Sequence, residues 1–435
     1  MNFDLPRGWS LKTLSDCCTE TISYGIVQPG THYEDGVSVI RVNNFKKDGL
    51  ELSDVLKVTQ AVSDKYKRTV LKGGEVLLTL VGSTGQSVVV PKSMAGWNVP
   101  RAIAVLRVSD DVGAEWVNCC LQSPITKYFL DARANTTVQK TLNLKDVKDI
   151  PIPVPPKDYK EQALSTLVSL SQKLDTNRKI NQTLEEIAQA IFKSWFVDFD
   201  PVKAKMNGEQ PEGMEVATAS LFPEKLVESE LGLIPEGWEE TPLYDIAEYI
   251  NGAAYKKFEP NGEGLGLPIV KIAELKAGVT SKTGFSTVDM PQKYKLDDTD
   301  ILFSWSGNPD TSIDTFVWAL GEAWLNQHIF KVVPKSDLSR DYVLCLLKYM
   351  RPVFAEIARD KQTTGLGHVT VKDLKRLTVA VPSEELLIKF NEKVSAIIAH
   401  NFSLVKENQT LEKLRDTLLP KLLSGEIDLD KVLDV

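Results

Sequence analysis

Little in this sequence speaks for chemistry of its own. Five cysteines include the adjacent pairs Cys17-Cys18 and Cys119-Cys120 and form no C-x-x-C. That usage suits neither a disulfide framework nor a zinc site and predicts a reducing, cytoplasmic setting. The four histidines form no H-x-x-x-H or H-E-x-x-H, so a protein metal site is not expected. No apolar run is long enough to span a bilayer, and the residues after Met1 lack the basic-then-apolar pattern of a secretory signal. There is no G-x-x-x-x-G-K-[ST] for nucleoside triphosphate and no G-x-S-x-G elbow for acyl transfer. Gly262-Glu-Gly-Leu-Gly266 follows no strand-like run and is soon followed by Pro268, which argues against a cofactor loop. Pro309-Asp310 is not completed by the Asp/Glu-x-Lys of a metal-dependent nuclease. A surplus of basic residues is missing too: the net charge is −8. Acidic residues gather in Glu209, Glu212, Glu215, Glu224, Glu228 and Glu230, whereas the first 155 residues are close to neutral. A locally basic face therefore remains open.

What is present is a repeat. Asn181-Gln-Thr-Leu-Glu185 recurs as Asn408-Gln-Thr-Leu-Glu412. Leu5-Pro-Arg-Gly-Trp9 is matched by Ile234-Pro-Glu-Gly-Trp238, and Val76-Leu-Leu-Thr79 with Gly82 by Ile301-Leu-Phe-Ser304 with Gly307. Lys145-Asp146 likewise returns as Lys372-Asp373, each pair ahead of a short, proline-ended apolar run. The small drift between these shifts is what loop insertions produce, and it marks a tandem duplication.

Each copy carries one long helical pattern. Leu167, Leu170, Leu174, Asn177, Asn181, Leu184, Ala188, Ile191 and Trp195 alternate spacings of three and four, as do Val394, Ile397, Asn401, Leu404, Asn408, Leu411, Arg415 and Leu418. That is an a/d seam, with Asn177, Asn181, Asn401 and Asn408 as register-setting polar positions. About forty residues of helix would reach roughly 60 Å. The expected fold is α/β (α+β): two similar mixed lobes joined through two long antiparallel coiled-coil helices about a pseudo-twofold axis. Residues 1–156 form the first lobe, 157–200 the first helix, and 201–233 a linker. Residues 234–382 form the second lobe, 383–420 the second helix, stopped near Pro420, and 421–435 a tail. Asp200-Pro201 is expected to end the first helix. Two lobes on a rigid frame suit a target with two half-sites at fixed spacing, of which duplex DNA is the commonest. A scaffold whose lobes grip polypeptides is the alternative.

The run Phe192-Lys-Ser-Trp-Phe-Val-Asp-Phe-Asp-Pro-Val-Lys203 resembles the central region of type I restriction–modification specificity subunits. Leu221-Phe-Pro223, Glu228-Ser-Glu-Leu231 and Ile234-Pro-Glu-Gly-Trp238 are similar to that family's junction before its second recognition domain. The resemblance covers essentially the whole chain. It implies a non-catalytic subunit with no cofactor of its own and two target-recognition domains, each reading half of a split, asymmetric DNA sequence. The helices would set the unread gap. Two modification (methyltransferase) subunits using S-adenosylmethionine, and restriction subunits using ATP and Mg, would be its partners, with no membrane involved. Trp195, Phe196 and Phe199 are candidate partner anchors, since aromatics dominate interface hot spots; the other expectation is that they cap the helices where these meet a lobe.

Reading base edges takes Arg, Lys, Asn, Gln, Ser and Thr above all. In the polar loops of the first lobe the candidates are Tyr24, Gln28, His32, Asn43, Ser83, Thr84, Gln86, Arg101, Thr137, Gln139 and Lys140. In the second they are Tyr255, Lys256, Lys257, Lys271, Ser306, Asn308, Gln327, His328, Thr363, Thr364 and His368. Lys140 and Lys257 are the ones expected to touch phosphate, which positions a protein without specifying sequence.

Overall fold

A computed structural model describes residues 5–46, 49–133, 141–335, 338–362, 365–427 and 429. The chain folds as two compact units, Met1–Asp175 with Thr410–Val435, and Thr176–Gln409. The long helices, Lys157–Phe196 and Glu384–Ser424, are therefore not a separate body: each contributes one segment to either unit.

The first unit is built on an antiparallel sheet in the order Ser23–Tyr24, Ile103–Leu106, Val76–Thr79, Ser87–Val89. Val76–Thr79 is β-branched and aliphatic throughout and is buried on both faces. Val76 and Leu78 join a core with Trp116, Ile152, Leu167 and Leu422, while Leu77 turns to a second core with Ile40, Ile103 and Val105. That is the period of two of a strand covered on both sides. Pro124 separates two helices, Ala114–Gln122 and Pro124–Asp131, and Ser123 between them accepts from the Thr126 N–H at 3.2 Å. The proline-rich exit, Pro151–Val154, pairs antiparallel with Ser10–Thr13. Trp116 locks it by donating from Nε1 to the Pro153 carbonyl at 2.7 Å.

The second unit repeats that plan: Ala247–Asn251, Ile329–Pro334, Ile301–Ser304, Asp314–Val317, again antiparallel and in the same order. Its exit strand, Thr378–Val381, pairs with Glu239–Pro242. Within this unit the helices run antiparallel. Asn177 is fully buried and donates from Nδ2 to Glu407 Oε2 at 2.8 Å and Asn408 Oδ1 at 3.0 Å, while Asn401 donates to the Asn181 carbonyl at 2.9 Å. No seam position of either helix is exposed. The side-chain oxygens of Asn177 and Asn181 have no partner, a cost an apolar pair would avoid.

Three boundaries move. Residues 201–233 are not a bare linker: they contain helices Asp200–Met206 and Val216–Ser220 and the hairpin Leu226–Ser229/Gly232–Pro235, with Val202 and Phe222 buried in the second unit's core. Asp200-Pro201 begins a helix instead of ending one, since proline's missing N–H costs nothing in a first turn. The long helix has already stopped at Phe196, and Phe199 takes the left-handed conformation (φ 56°) between the two. Pro420 likewise lies inside the second helix, which continues to Ser424. The burial of Leu422 and Leu423 in the first unit's core outweighs the one backbone bond that Pro420 removes.

Of the two expectations for Trp195 and Phe196, the structure shows the cap and not the partner anchor. Both are interior, 7% and 6% exposed, in an aromatic cluster with Phe192, Phe222, Trp238, Tyr342 and Phe390. They cap the helix against its own unit and leave almost no surface for a partner. Phe199 is half-buried, edge-on to Trp238 at 5.5 Å.

The repeated Lys-Asp pair shows what one carboxylate does for the fold. Asp373, 3% exposed, accepts from the Thr370 N–H (2.8 Å), Thr370 Oγ1 (2.6 Å) and Lys361 Nζ (2.5 Å), closing the turn before the helix Val371–Arg376. Burial alone would raise its pKa, but the hydrogen bonds from Lys361 and Thr370 outweigh burial, and the carboxyl is held below the usual aspartate range. A pKa lower in the folded than in the unfolded chain means that this stabilisation is complete above the unfolded value. It is lost as pH falls through the folded one. Asp373→Asn should cost about 1–3 kcal/mol at neutral pH. Urea titrations at pH 7 and at pH 3 should show the gap between wild type and variant closing at the lower pH.

Candidate nucleic-acid interface

In the first unit the strand Ser23–Tyr24 is an edge, and the chain beyond it passes close to the segment before Ile103–Leu106. Gly25 is obligatory there: a Cβ would lie 1.8 Å from the Val99 carbonyl oxygen. The approach lets Ile26 bridge Pro100 in parallel and accept the Arg101 N–H at 2.8 Å. Tyr24, Gln28 and Arg101 are exposed along this edge. His32 is exposed as well, but its Nδ1 accepts from the Lys57 N–H at 3.3 Å and serves the loop.

Asn43 stands on the turn Val42–Asn44, closed by Asn44 Oδ1 accepting from the Arg41 N–H at 2.8 Å. Ser83 and Gln86 stand on the connection between Val76–Thr79 and Ser87–Val89. Thr79 Oγ1 shapes it, donating to the Ser83 carbonyl (2.6 Å) and accepting the Gln86 N–H (2.9 Å). Asn43, Ser83 and Gln86 line one open concavity of about 530 Å³ together with Lys46, Gly82 and Ala102, the residue after Arg101. Thr84 is half-buried beside them in the chain. Thr137, Gln139 and Lys140 lie outside the described residues. Gly25→Ala should force the two segments apart and displace Arg101. DNA binding through this unit should fall at least tenfold by fluorescence anisotropy, at unchanged helix content by circular dichroism.

The second unit builds the same junction from different side chains. Gly252 would set a Cβ 2.2 Å from the Asn326 carbonyl oxygen, and Ala253 bridges Asn326 in parallel. The Lys271 N–H donates to Glu274 Oε2 at 3.0 Å, as the Arg41 N–H does to Asn44. Val81 bridges Thr141 antiparallel, and Ser306 bridges His368 in the same way. Ile103 pairs with Thr79 and Ile329 with Ser304, so Arg101 and Gln327 each stand two residues before equivalent strand positions.

Around Gln327 lies a compact polar and aromatic cluster. Gln327 Nε2 is 3.1 Å from His328 Nε2, and the Trp305 ring lies 5.5 Å from the His328 ring and 5.9 Å from the His368 ring. Trp305 Nε1 donates to Asn251 Oδ1 at 3.2 Å. Burial, and then the charge of His368, hold the His328 pKa below the usual histidine range. Trp305, Asn251 and Lys46 were not singled out by sequence reasoning. Trp305 carried a usable signal, an aromatic directly after a buried strand in a polar loop.

Other candidates are placed less favourably. Ser306 is buried, which removes it from direct contact with a base. Asn308 is exposed, but its Oδ1 accepts from the N–H groups of Asp310 and Thr311 and builds its own loop. Lys271 reaches over the Tyr255 ring at 4.8 Å, while Lys256 and Lys257 are exposed on the turn Tyr255–Phe258. Thr363 and Thr364 lie outside the described residues. Among the described residues no group of three His, Cys, Asp or Glu could hold a metal ion, and no helix is long and apolar enough to cross a membrane.

The duplicated frame coincides with a known one. Residues 6–186 and 235–414 each match the type I restriction modification DNA specificity domain. The chain belongs to that family. It is 28% identical over 355 residues to the type I restriction enzyme HindI specificity subunit of Haemophilus influenzae, covering 71% of this chain and 76% of that one. It is 26% identical over 323 residues to the MjaIX specificity subunit of Methanocaldococcus jannaschii, covering 71% and 67%. A crystal structure of the type I system S subunit from M. genitalium shares the fold at a TM-score of 0.51, with 16% identity and 97% of both chains covered. As a specificity subunit the chain supplies DNA recognition and no covalent chemistry. Each specificity domain as matched includes one of the two corresponding four-stranded antiparallel sheets, its junction glycine and a large part of one long helix.

Proposed function

We propose that this chain gives a type I restriction–modification complex its sequence specificity, the first unit reading one half of a bipartite, asymmetric DNA site and the second the other. The observation that carries this reading is the junction built twice on one backbone plan. Arg101, Tyr24, Asn43, Ser83 and Gln86 dress it in the first unit, and Gln327, His328 and the Trp305 cluster in the second. Equal frames with unequal side chains suit two different half-sites. Lys256 and Lys257 are suited to phosphate.

The paired helices set the unread gap in this proposal, with the Asn177–Asn408 and Asn401–Asn181 contacts holding their register. Two modification subunits bring S-adenosylmethionine and methylate adenine; restriction subunits bring ATP and Mg. Methylation mapping by long-read sequencing, in a host expressing the chain with those subunits, tests it. Two short specified blocks at fixed separation should be modified at adenine and lost when the chain is deleted. A pattern unchanged by deletion would refute the assignment.

A further inference from the structure

We propose that Arg101 and Gln327 occupy one reading position of the duplicated frame, Arg101 taking a guanine and Gln327 an adenine in their respective half-sites. This rests on the DNA-reading role proposed above and adds the base class at one position of each half.

The position is defined by backbone. On either side a glycine without room for a side chain lets an edge strand touch the opposing segment, followed by a parallel bridge: Ile26 with Pro100, Ala253 with Asn326. The next residue is Arg101 or Gln327, and two residues later both chains enter the central sheet. A side chain carried there is set by the fold and not by a loose loop, which is what base readout requires.

The side chains differ in the way that separates the two purines. Arginine offers a planar fork that bonds guanine O6 and N7 together, whereas glutamine offers a donor and an acceptor that match adenine N7 and N6. Arg101 is exposed, and among the described residues nothing pairs with its guanidinium. The neighbouring arginines are spent otherwise. Arg41 binds Asp54 at 2.7 Å, Arg107 binds Glu20 at 2.8 Å, and Arg133 lies 3.6 Å over the Phe129 ring. Arg7 and Arg68 are not on the segments lining the adjacent concavity. In the second unit Arg351 and Arg359 are likewise committed, to Asp314 and Asp310. Gln327 is half-buried and its Nε2 lies against His328 Nε2, which orients the amide. An amide nitrogen carries two hydrogens, so one remains for adenine N7 while Oε1 accepts from N6.

The experiment uses the full chain assembled with its modification subunits and duplexes carrying the mapped site. Each guanine of the first unit's half-site is replaced in turn by 7-deazaguanine, which lacks the N7 acceptor. At one position the replacement should weaken binding roughly ten- to hundredfold. The same replacement should cost Arg101→Ala nothing further. Arg101→Gln should move the preference at that position from guanine to adenine, and Gln327→Arg should move the second half-site from adenine to guanine. Uniform weakening of all sequences by Arg101→Ala, with a shallower salt dependence, would overturn the proposal in favour of a phosphate contact. Unchanged binding by Arg101→Ala would overturn it too. A wild-type complex with no preference for the mapped site would instead sink the DNA-reading role, and this inference with it.

Discussion

Replacing residues 200–382 by the corresponding block of a specificity subunit with another target should change one half of the methylated sequence and leave the other half and the gap intact. The block begins at residue 200 because Val202 and Phe222 belong to the second unit's core. An exchange of residues 234–382 alone would cut that core and leave the native Val202 and Phe222 packed against foreign residues. Phe192 and Phe196 extend from the long helix into the same core, against Tyr342, Tyr349 and Trp238, so the incoming block must keep aromatics there. The first unit's sheet and junction glycine lie wholly outside the block, which is why its half-site should persist. Long-read methylation mapping distinguishes the outcomes, and a change in both halves would refute modular reading. The shorter exchange should assemble less well and methylate more weakly at the same new sequence.

The largest stability effect is expected at Phe192. Its ring, 1% exposed, lies within 6.2 Å, centroid to centroid, of Phe196, Tyr342, Tyr349 and Phe390. These residues come from both long helices and the helix Arg340–Tyr349 of the second unit, so one side chain closes three elements. Phe192→Ala should cost about 3–5 kcal/mol, because rings held by so many neighbours cannot collapse into the space left behind. Phe192→Leu should cost less, since it leaves a smaller cavity. Chemical denaturation of the purified chain, or thermal unfolding of the assembled complex, gives both numbers. A loss below about 1 kcal/mol for the alanine variant would mean that the cluster reorganises freely, contrary to close packing of a core.

Much of the architecture was legible because it rests on local, periodic or repeated signals. The Asn-Gln-Thr-Leu-Glu repeat, the matched Val76–Thr79 and Ile301–Ser304 strands and the alternating three-four spacing each declare themselves within a short window. Signals of this kind mislead at Pro201 and Pro420, since a proline reads as a stop wherever it falls in a helical pattern. Pro201 is placed in a first turn and Pro420 in a last one, where the missing N–H costs least or burial of neighbours outweighs it. Residues 201–233 read as a linker from Gly208, Pro211 and Gly213, yet Val202 and Phe222 lie in the second unit's core. Trp195 and Phe196 read equally well as anchors or as caps, since an aromatic pair looks the same in sequence whether its surface is covered by a partner or by its own chain.

By itself the sequence determined the duplication, the long helices with asparagines on their seam, the mixed α/β lobes and the family. All of these depend on neighbours in the chain or on matched positions in the two copies. Only the tertiary structure decided which polar loop residues stand together. Gly25 and Val99 are far apart in sequence yet leave no room for a methyl group between them, and Arg101 owes its place to that contact. The same holds for Trp305, His328 and His368, which come from three segments. Ser306 and Asn308 show the converse, one buried where it pairs across strands and the other bonded to its own loop. A side chain's type states what it can bond. Whether that capacity is already spent within the fold depends on contacts that no local pattern encodes.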